Sequence, residues 1–385
     1  MNNFEFQNPT KLIFGKGTIA QLSDNLPKDV TIMVTYGGGS IKRNGVYDQV
    51  MAALEGFDYI EFSGIEPNPH YETLMKAVAL AKEKNVGFFL AVGGGSTIDG
   101  TKFIAAAMGY PNDPWEFMYN PALLVGTTPT PLAAVLTLPA TGSEMNPTAV
   151  ITKDETKEKL AFAYEGCFPK FSVLDPQVCY SLPQKQVANG ITDTFIHVVE
   201  QYITYPVQAY VQERWAEGIL LTLKEIGAKA VANIQDYDLA SNYMFAATMG
   251  LNKFISMGVP EDWATHQIGH ELTAFHGIDH GRTLAVVAPS LYNVMRDEKR
   301  EKLLQYGERV WGINAGDEDS RIDATIKSTR DFFESLGVKT HLSDYGVTEQ
   351  DIERIVNRFK ERGSKLGERG SITYETIDKI LKGAM

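Results

Sequence analysis

Short apolar runs alternate with helical patterns through the first 180 residues, and no other feature limits the fold as much. The runs TIMVTY (31–36), FDYIEF (57–62), VGFFLAV (86–92), AAVLTLP (133–139), TAVIT (148–152) and FSVLD (171–175) predict strands. Between them, YETLMKAVALAKEKN (71–85) and TIDGTKFIAAAMG (97–109) predict helices. Strands this apolar need cover on both faces, so the alternation predicts a parallel, Rossmann-like sheet flanked by helices. After LDPQVCYSLP (174–183) strand signals nearly vanish, and helical patterns follow to the C-terminus. The expected architecture is an α/β domain over residues 1–180 and an all-α domain over 181–385.

Several classes of function are excluded early. A net charge of −12 and the lack of any basic stripe argue against nucleic acid or an anionic membrane as partner. The apolar run in NVGFFLAVGGG breaks at glycines long before it could span a bilayer. Two cysteines, Cys167 and Cys179, make neither a disulfide framework nor a CxxC pair, which fits a reducing compartment. MNNFEFQNPTKL has neither the basic nor the apolar region of a signal peptide, and a cytoplasmic location is expected.

GGGS occurs twice, each time directly after a predicted strand, at 37–40 and 93–96. Neither copy matches GxGxxG. The second can still bring backbone N–H groups close to a pyrophosphate, with Ser96 expected to cap a helix starting at Thr97. A plain strand-to-helix turn explains the glycines equally well. The first copy would meet an adenosine ribose. It offers Gly38, Gly39 and Ser40, then Lys42 and Arg43, with no acid before Asp48. That composition leaves room and donors for a 2′-phosphate, whereas an acid there would favour NAD.

Histidine is distributed unevenly: five of the seven lie between residues 197 and 280. On a predicted helix over 184–203, Asp193 and His197 are four residues apart and share a face. His266 and His270 repeat that spacing on a helix starting near Trp263, and His280 follows a break at Gly277. Any one of these could be an ordinary polar or core residue. Together, imidazoles and a carboxylate without cysteine suit Zn²⁺ or Fe²⁺ at a catalytic site. Three neutral histidines and one carboxylate leave a divalent ion about one net positive charge and room for a substrate oxygen.

GGGSTIDGTK (93–102), LPATGSE (138–144), LDPQVCYSLP (174–183), ITDTFIHVVEQY (191–202) and the His-x3-His-x9-His of 266, 270 and 280 resemble the iron-containing (group III) alcohol dehydrogenases. The likeness runs nearly end to end and is nearest to the NADPH-dependent, broad-range bacterial aldehyde reductase and butanol dehydrogenase branch. It implies a dehydroquinate synthase-like architecture with cofactor and metal facing each other across a cleft. It further implies one divalent metal on Asp193, His197, His266 and His280, with His270 beside the nicotinamide as a candidate proton donor. The implied NADP(H) contacts are Gly38, Gly39, Ser40, Gly94, Gly95, Ser96, Asp99, Thr137, Thr141, Lys159, Tyr180 and Leu182. Implied too are a homodimer and a small aldehyde or alcohol as substrate.

Two departures stand out. Glycines and Ser40 replace the Asp that many relatives carry after the first strand, which favours NADP(H). Asp279 stands where relatives often have Pro, and reads as a solvated turn residue or as a partner to the ligands. His276, outside the ligand pattern, is expected at the cleft or the surface. The alternatives are an NAD-dependent small-alcohol or polyol dehydrogenase, a dehydroquinate synthase-like lyase and a metal-storage protein. The lyase needs a basic lining; the apolar Trp263, Phe275 and Phe254 expected near the ligands favour small aliphatic aldehydes.

Overall fold

Six strands form one parallel sheet: β1 (Lys11–Phe14), β2 (Thr31–Tyr36), β3 (Tyr59–Phe62), β4 (Val86–Gly93), β5 (Leu132–Leu136) and β8 (Phe171–Leu174). Their spatial order is β1-β8-β5-β4-β2-β3. Chain order reverses between β2 and β4, the switch point at which open α/β sheets bind ligands beyond their strand ends. Phe89 to Val92 of β4 are fully buried, as strands covered on both faces must be. The helices here are α1 (Leu22–Asn25), α2 (Val46–Ala53), α3 (Tyr71–Glu83), α4 (Gly95–Met108) and α5 (Trp115–Tyr119).

TAVIT was expected in this sheet. It lies instead in β6 (Thr148–Lys153), which pairs antiparallel with β7 (Glu158–Ala163) as a separate hairpin. Both hairpin strands keep one face partly wet, which suits an antiparallel pair and not a buried parallel strand. The sequence patterns also passed over β7 and β1. EKLAFA is polar at one end, and in KLIF, an edge strand, only Ile13 is buried.

The computed structural model describes residues 1–385, and their contacts divide them into two units. The sheet unit comprises Gln7–Leu182 and Ile234–Asn252; the helical unit comprises Met1–Phe6, Pro183–Asn233 and Lys253–Met385. In the helical unit, α6 (Gln184–Tyr202) is buried from Val187 to Tyr202, although that stretch carries the polar Asp193, His197 and Glu200. It packs on α7 (Tyr210–Ala232) and α10 (His280–Val294), and α10 on α9 (Ala264–His276). Then follow α11 (Arg300–Tyr306), α12 (Glu318–Ser335), α13 (Glu349–Glu361) and α14 (Tyr374–Gly383). The remaining helix, α8 (Tyr237–Gly250), belongs to the sheet unit. Thr248 Oγ1 donates to the buried Glu144 carboxylate at 2.6 Å, Asn146 donates to the Leu251 carbonyl at 2.8 Å, and the Tyr243 hydroxyl donates to the Pro139 carbonyl. No helix is long and apolar enough to cross a membrane.

Candidate metal centre and nucleotide-binding edge

Asp193 lies in the middle of α6, 4 % exposed, with His197 one turn on. His266 sits in the first turn of α9. That helix ends at His276, where Gly277 takes the left-handed conformation (φ 65°) the break requires. His280, which follows that break, is the first residue of α10. Gly281 permits a close crossing there, since a Cβ would fall 2.4 Å from the Asn189 carbonyl oxygen of α6.

Three helices thus bring three imidazoles to one carboxylate oxygen. His197, His266 and His280 place their Nε2 atoms 3.5, 3.7 and 3.7 Å from Asp193 Oδ1. Asp193 Oδ1 and His266 Nε2 are buried, and neither makes a hydrogen bond. Ligand atoms about 2.1 Å from a tetrahedral ion stand about 3.4 Å from one another, close to the spacing seen. Electrostatics favour a cation as well. Burial pushes the His266 imidazole down, but the Glu200 and Asp193 carboxylates outweigh it and hold it up at about 9. A site that attracts a proton this strongly attracts a metal ion for the same reason. The donor set and its spacing fit a divalent ion.

Around this cluster the expectations fare unevenly. His270 stands one turn beyond His266, its ring centroid 5.2 Å from that of His280. Trp263 meets His266 and His197 at 5.3 and 6.1 Å. Phe254 instead stacks on Trp215, and Phe275 lies under the guanidinium groups of Arg354 and Arg358. Glu271 pairs with Arg358 and Arg362 at 3.2 and 2.6 Å, so that basic face is partly neutralised. His276 Nε2 lies 3.9 Å from Asp351 Oδ1.

Asp279, its side chain 37 % exposed, is paired as well as solvated. Its Oδ2 accepts from Asn189 at 3.0 Å and from Lys185 at 2.7 Å, tying the start of α10 to α6. Burial pushes its carboxyl up, yet Lys185 and Asn189 outweigh that and hold it below the usual carboxylate range. Glu200, which sequence reasoning passed over, accepts from the Thr265 amide at 2.6 Å and from His266 Nδ1. Its signal was present: Asp193, His197 and Glu200 stand at i, i+4 and i+7, one stripe of a helix.

The implied nucleotide contacts gather at the C-terminal ends of four neighbouring strands of the sheet unit. Gly38, Gly39 and Ser40 follow β2, and Gly94, Gly95 and Ser96 follow β4. Thr137 and Thr141 follow β5; Tyr180 and Leu182 follow β8. The Thr137 amide donates to the Gly93 carbonyl at 2.9 Å. A Cβ on Gly95 would meet Thr141 Oγ1 at 2.5 Å, so the second glycine loop is closely packed from behind. Gly38 and Gly39 face open space, and Gly39 is left-handed (φ 84°). Ser96 does not cap α4, because the helix begins at Gly95; its hydroxyl accepts from the Asn68 amide at 3.2 Å. Lys159, on β7, donates to Asn68 Oδ1 at 2.9 Å and so reaches the same loop.

Asp99 turns inward. Its carboxylate accepts from Ser143 Oγ at 2.5 Å and from the Val150 amide at 3.0 Å. Burial pushes it up and pushes its neighbour Lys102 down to about 8. The first glycine loop also acquires an acid that the linear sequence hid. Glu61 of β3 lies 4.0 Å from Lys42 and accepts from the hydroxyls of Tyr36 (2.7 Å) and Tyr47 (3.0 Å). The β2–β3 register, which sets Glu61 opposite Val34, brings it there.

Known proteins resemble the whole chain. The family described as iron-containing alcohol dehydrogenase matches residues 9–176, and its C-terminal counterpart matches residues 187–385. The chain is 54 % identical over 387 residues to the NADPH-dependent aldehyde reductase YqhD of Escherichia coli, covering 100 % of both. It is 40 % identical to NADP-dependent alcohol dehydrogenase 3 of Entamoeba histolytica, covering 99 % of this chain and 98 % of that one. The crystal structure of E. coli YqhD superposes with a TM-score of 0.98, covering 100 % of this chain and 99 % of that one. For NADH-dependent butanol dehydrogenase A of Thermotoga maritima the score is 0.94 at 33 % identity, covering 100 % and 99 %. With both of its halves matched, the chain belongs to the iron-containing alcohol dehydrogenase family.

Proposed function

We propose that this protein is a metal-dependent, NADPH-preferring reductase of small aldehydes, working reversibly as an alcohol dehydrogenase. The observation that carries this reading is the convergence of three imidazole Nε2 atoms on the unbonded Asp193 oxygen. Asp193, His197, His266 and His280 would hold the ion, which would supply Lewis acidity toward a carbonyl oxygen, and a bound reduced nicotinamide would supply hydride.

The chain's own residues then divide the remaining work. Burial of Asp193, His197 and His266 keeps bulk water from their faces and strengthens every electrostatic contact among them. His270, over His280, offers a ring nitrogen to pass a proton to the product oxygen. The strand ends at Gly38–Ser40, Gly94–Ser96, Thr137, Thr141, Tyr180 and Leu182, with Lys159, cradle the dinucleotide, and Asp99 braces α4 from inside. Open space at Gly38 and Gly39 supports the preference for a 2′-phosphate, and Glu61, the acid beside that loop, is already engaged by Tyr36, Tyr47 and Lys42. The names of the E. coli and Entamoeba relatives support it too.

The enzyme is further proposed to be a cytoplasmic homodimer. Two buried free cysteines and the exposed Tyr210, Val211 and Leu221 of α7 support that reading. Light scattering that returns the mass of a single chain would remove the dimer.

The test is a rate assay with butanal on protein of measured metal content, with NADPH and NADH in parallel and a chelator-treated control. Turnover that needs the metal and is much faster with NADPH is the expected result. Equal rates with both cofactors overturn the 2′-phosphate argument alone. No turnover with metal bound overturns the reductase reading.

A further inference from the structure

The stripe of α6 that carries Asp193 and His197 continues to Glu200, and the metal reading gives this third residue no task. Glu200 is 2 % exposed, and burying a carboxylate so completely is costly unless it is paired and hydrogen-bonded. Both of its oxygens are used. Oε1 accepts from the Thr265 amide at 2.6 Å, in the first turn of α9, and Oε2 accepts from Nδ1 of His266. A carboxylate acceptor keeps a proton on Nδ1, so Nε2, which lies 3.7 Å from Asp193 Oδ1, is the nitrogen that would give up its proton and offer a lone pair to an ion.

The clamp is anchored at its other end as well. The Asp262 amide donates to the Glu200 backbone carbonyl at 2.9 Å, and Asp262 Oδ1 accepts from the Ala264 amide at 3.0 Å. Lys299, 3 % exposed, holds the other oxygen of Asp262 at 2.6 Å. The turn into α9 is therefore fixed relative to α6 at the point where His266 leaves it.

We propose that Glu200 is the positioning residue of the metal centre. It fixes the ring plane and tautomer of His266 and supplies the second negative charge that balances a divalent ion. This rests on the metal reading above. Helix α6 then governs three of the four ligands: Asp193 and His197 come from it directly, and His266 is aimed by it, while His280 comes from α10.

The test uses the full chain, stripped of metal and titrated with Co²⁺ against a chromophoric chelator, with the visible d–d spectrum recorded. The variants are Glu200→Gln, Glu200→Asp and Asp193→Asn. Glu200→Gln is expected to bind Co²⁺ about 10–100-fold more weakly, with a displaced d–d band, because the amide lacks the charge and has one acceptor oxygen for the two donors, Thr265 N–H and His266 Nδ1–H. Glu200→Asp keeps the charge one methylene further away, and is expected to recover part of the affinity. It also decides the matter should Glu200→Gln not fold, since wild-type affinity and spectrum in Glu200→Asp would then overturn the proposal. Wild-type affinity and an unmoved band in Glu200→Gln, with Asp193→Asn losing the ion, overturn the role of Glu200 alone. No saturable Co²⁺ binding by the wild type overturns the metal reading, and the proposal with it.

Discussion

The helical unit and the sheet unit build their candidate sites from opposite materials. Around Asp193 the site consists of side chains: charged or imidazole groups from α6, α9 and α10, most of them buried, with little tolerance for substitution. At the strand ends it consists mainly of backbone, glycines and small hydroxyls, placed by the order β8-β5-β4-β2. A side-chain site fails when one atom is removed. A backbone site fails when one atom is added.

The sharpest form of this contrast is Asp193→Asn. The amide removes the charge but keeps the shape, and leaves three imidazoles around a neutral oxygen. Metal content should fall close to zero, and kcat/KM for butanal should drop by about 10³-fold or more. Near-normal metal content, read by elemental analysis, would break the comparison.

Gly95→Ala is the counterpart. The new Cβ would sit 2.5 Å from Thr141 Oγ1, which costs about 1–3 kcal/mol of stability. The KM for NADPH should rise while metal content stays unchanged. A variant that keeps its KM and loses metal instead would reverse the assignment of the two sites.

Gly38→Asp sharpens the same argument without strain, since nothing lies within 4 Å of a Cβ there. A carboxylate at that point should repel a 2′-phosphate, lowering kcat/KM with NADPH about 10–100-fold and sparing NADH. Equal losses with both cofactors would mean that the loop reads shape and not charge.

The smallest expected effect is one of pH. Burial holds Lys102 at about 8 in the folded protein, against 10.5 for the unreacted side chain. Between those values the unfolded chain binds more protons than the folded one, so this residue's contribution to stability rises with pH. The unfolding free energy of the wild type relative to Lys102→Met should therefore climb by about 1–3 kcal/mol from pH 8 to 10.5. A flat difference would show that Lys102 keeps its charge in the sheet core.

What the sequence displayed follows the same division. Asp193, His197, His266, His270 and His280 stood out only as a group, and the choice of ligands among them came from the family resemblance. The two glycine loops were visible as breaks after strands, yet only the sheet order shows that β2 and β4 are neighbours at the switch point. Glu200 was missed because a glutamate on a helix ordinarily faces solvent. Asp279 was left between two readings because its partners Lys185 and Asn189 lie on α6, about 90 residues earlier. Glu61 was hidden by the same kind of distance, closed by the β2–β3 register. Phe254 and Phe275 marked the opposite limit, since apolar residues near ligands in sequence need not be near them in space.

The placement of α8 has one consequence for how the molecule is made. Synthesis runs from the N-terminus, and α6 and α7 are translated before α8, which supplies the partners of Pro139, Glu144 and Asn146. Those groups must wait on the ribosome until residue 252 has emerged, and the amide of Asn2 waits longer still for the carbonyl of Gly258. Each unit is completed only by residues synthesised after part of the other.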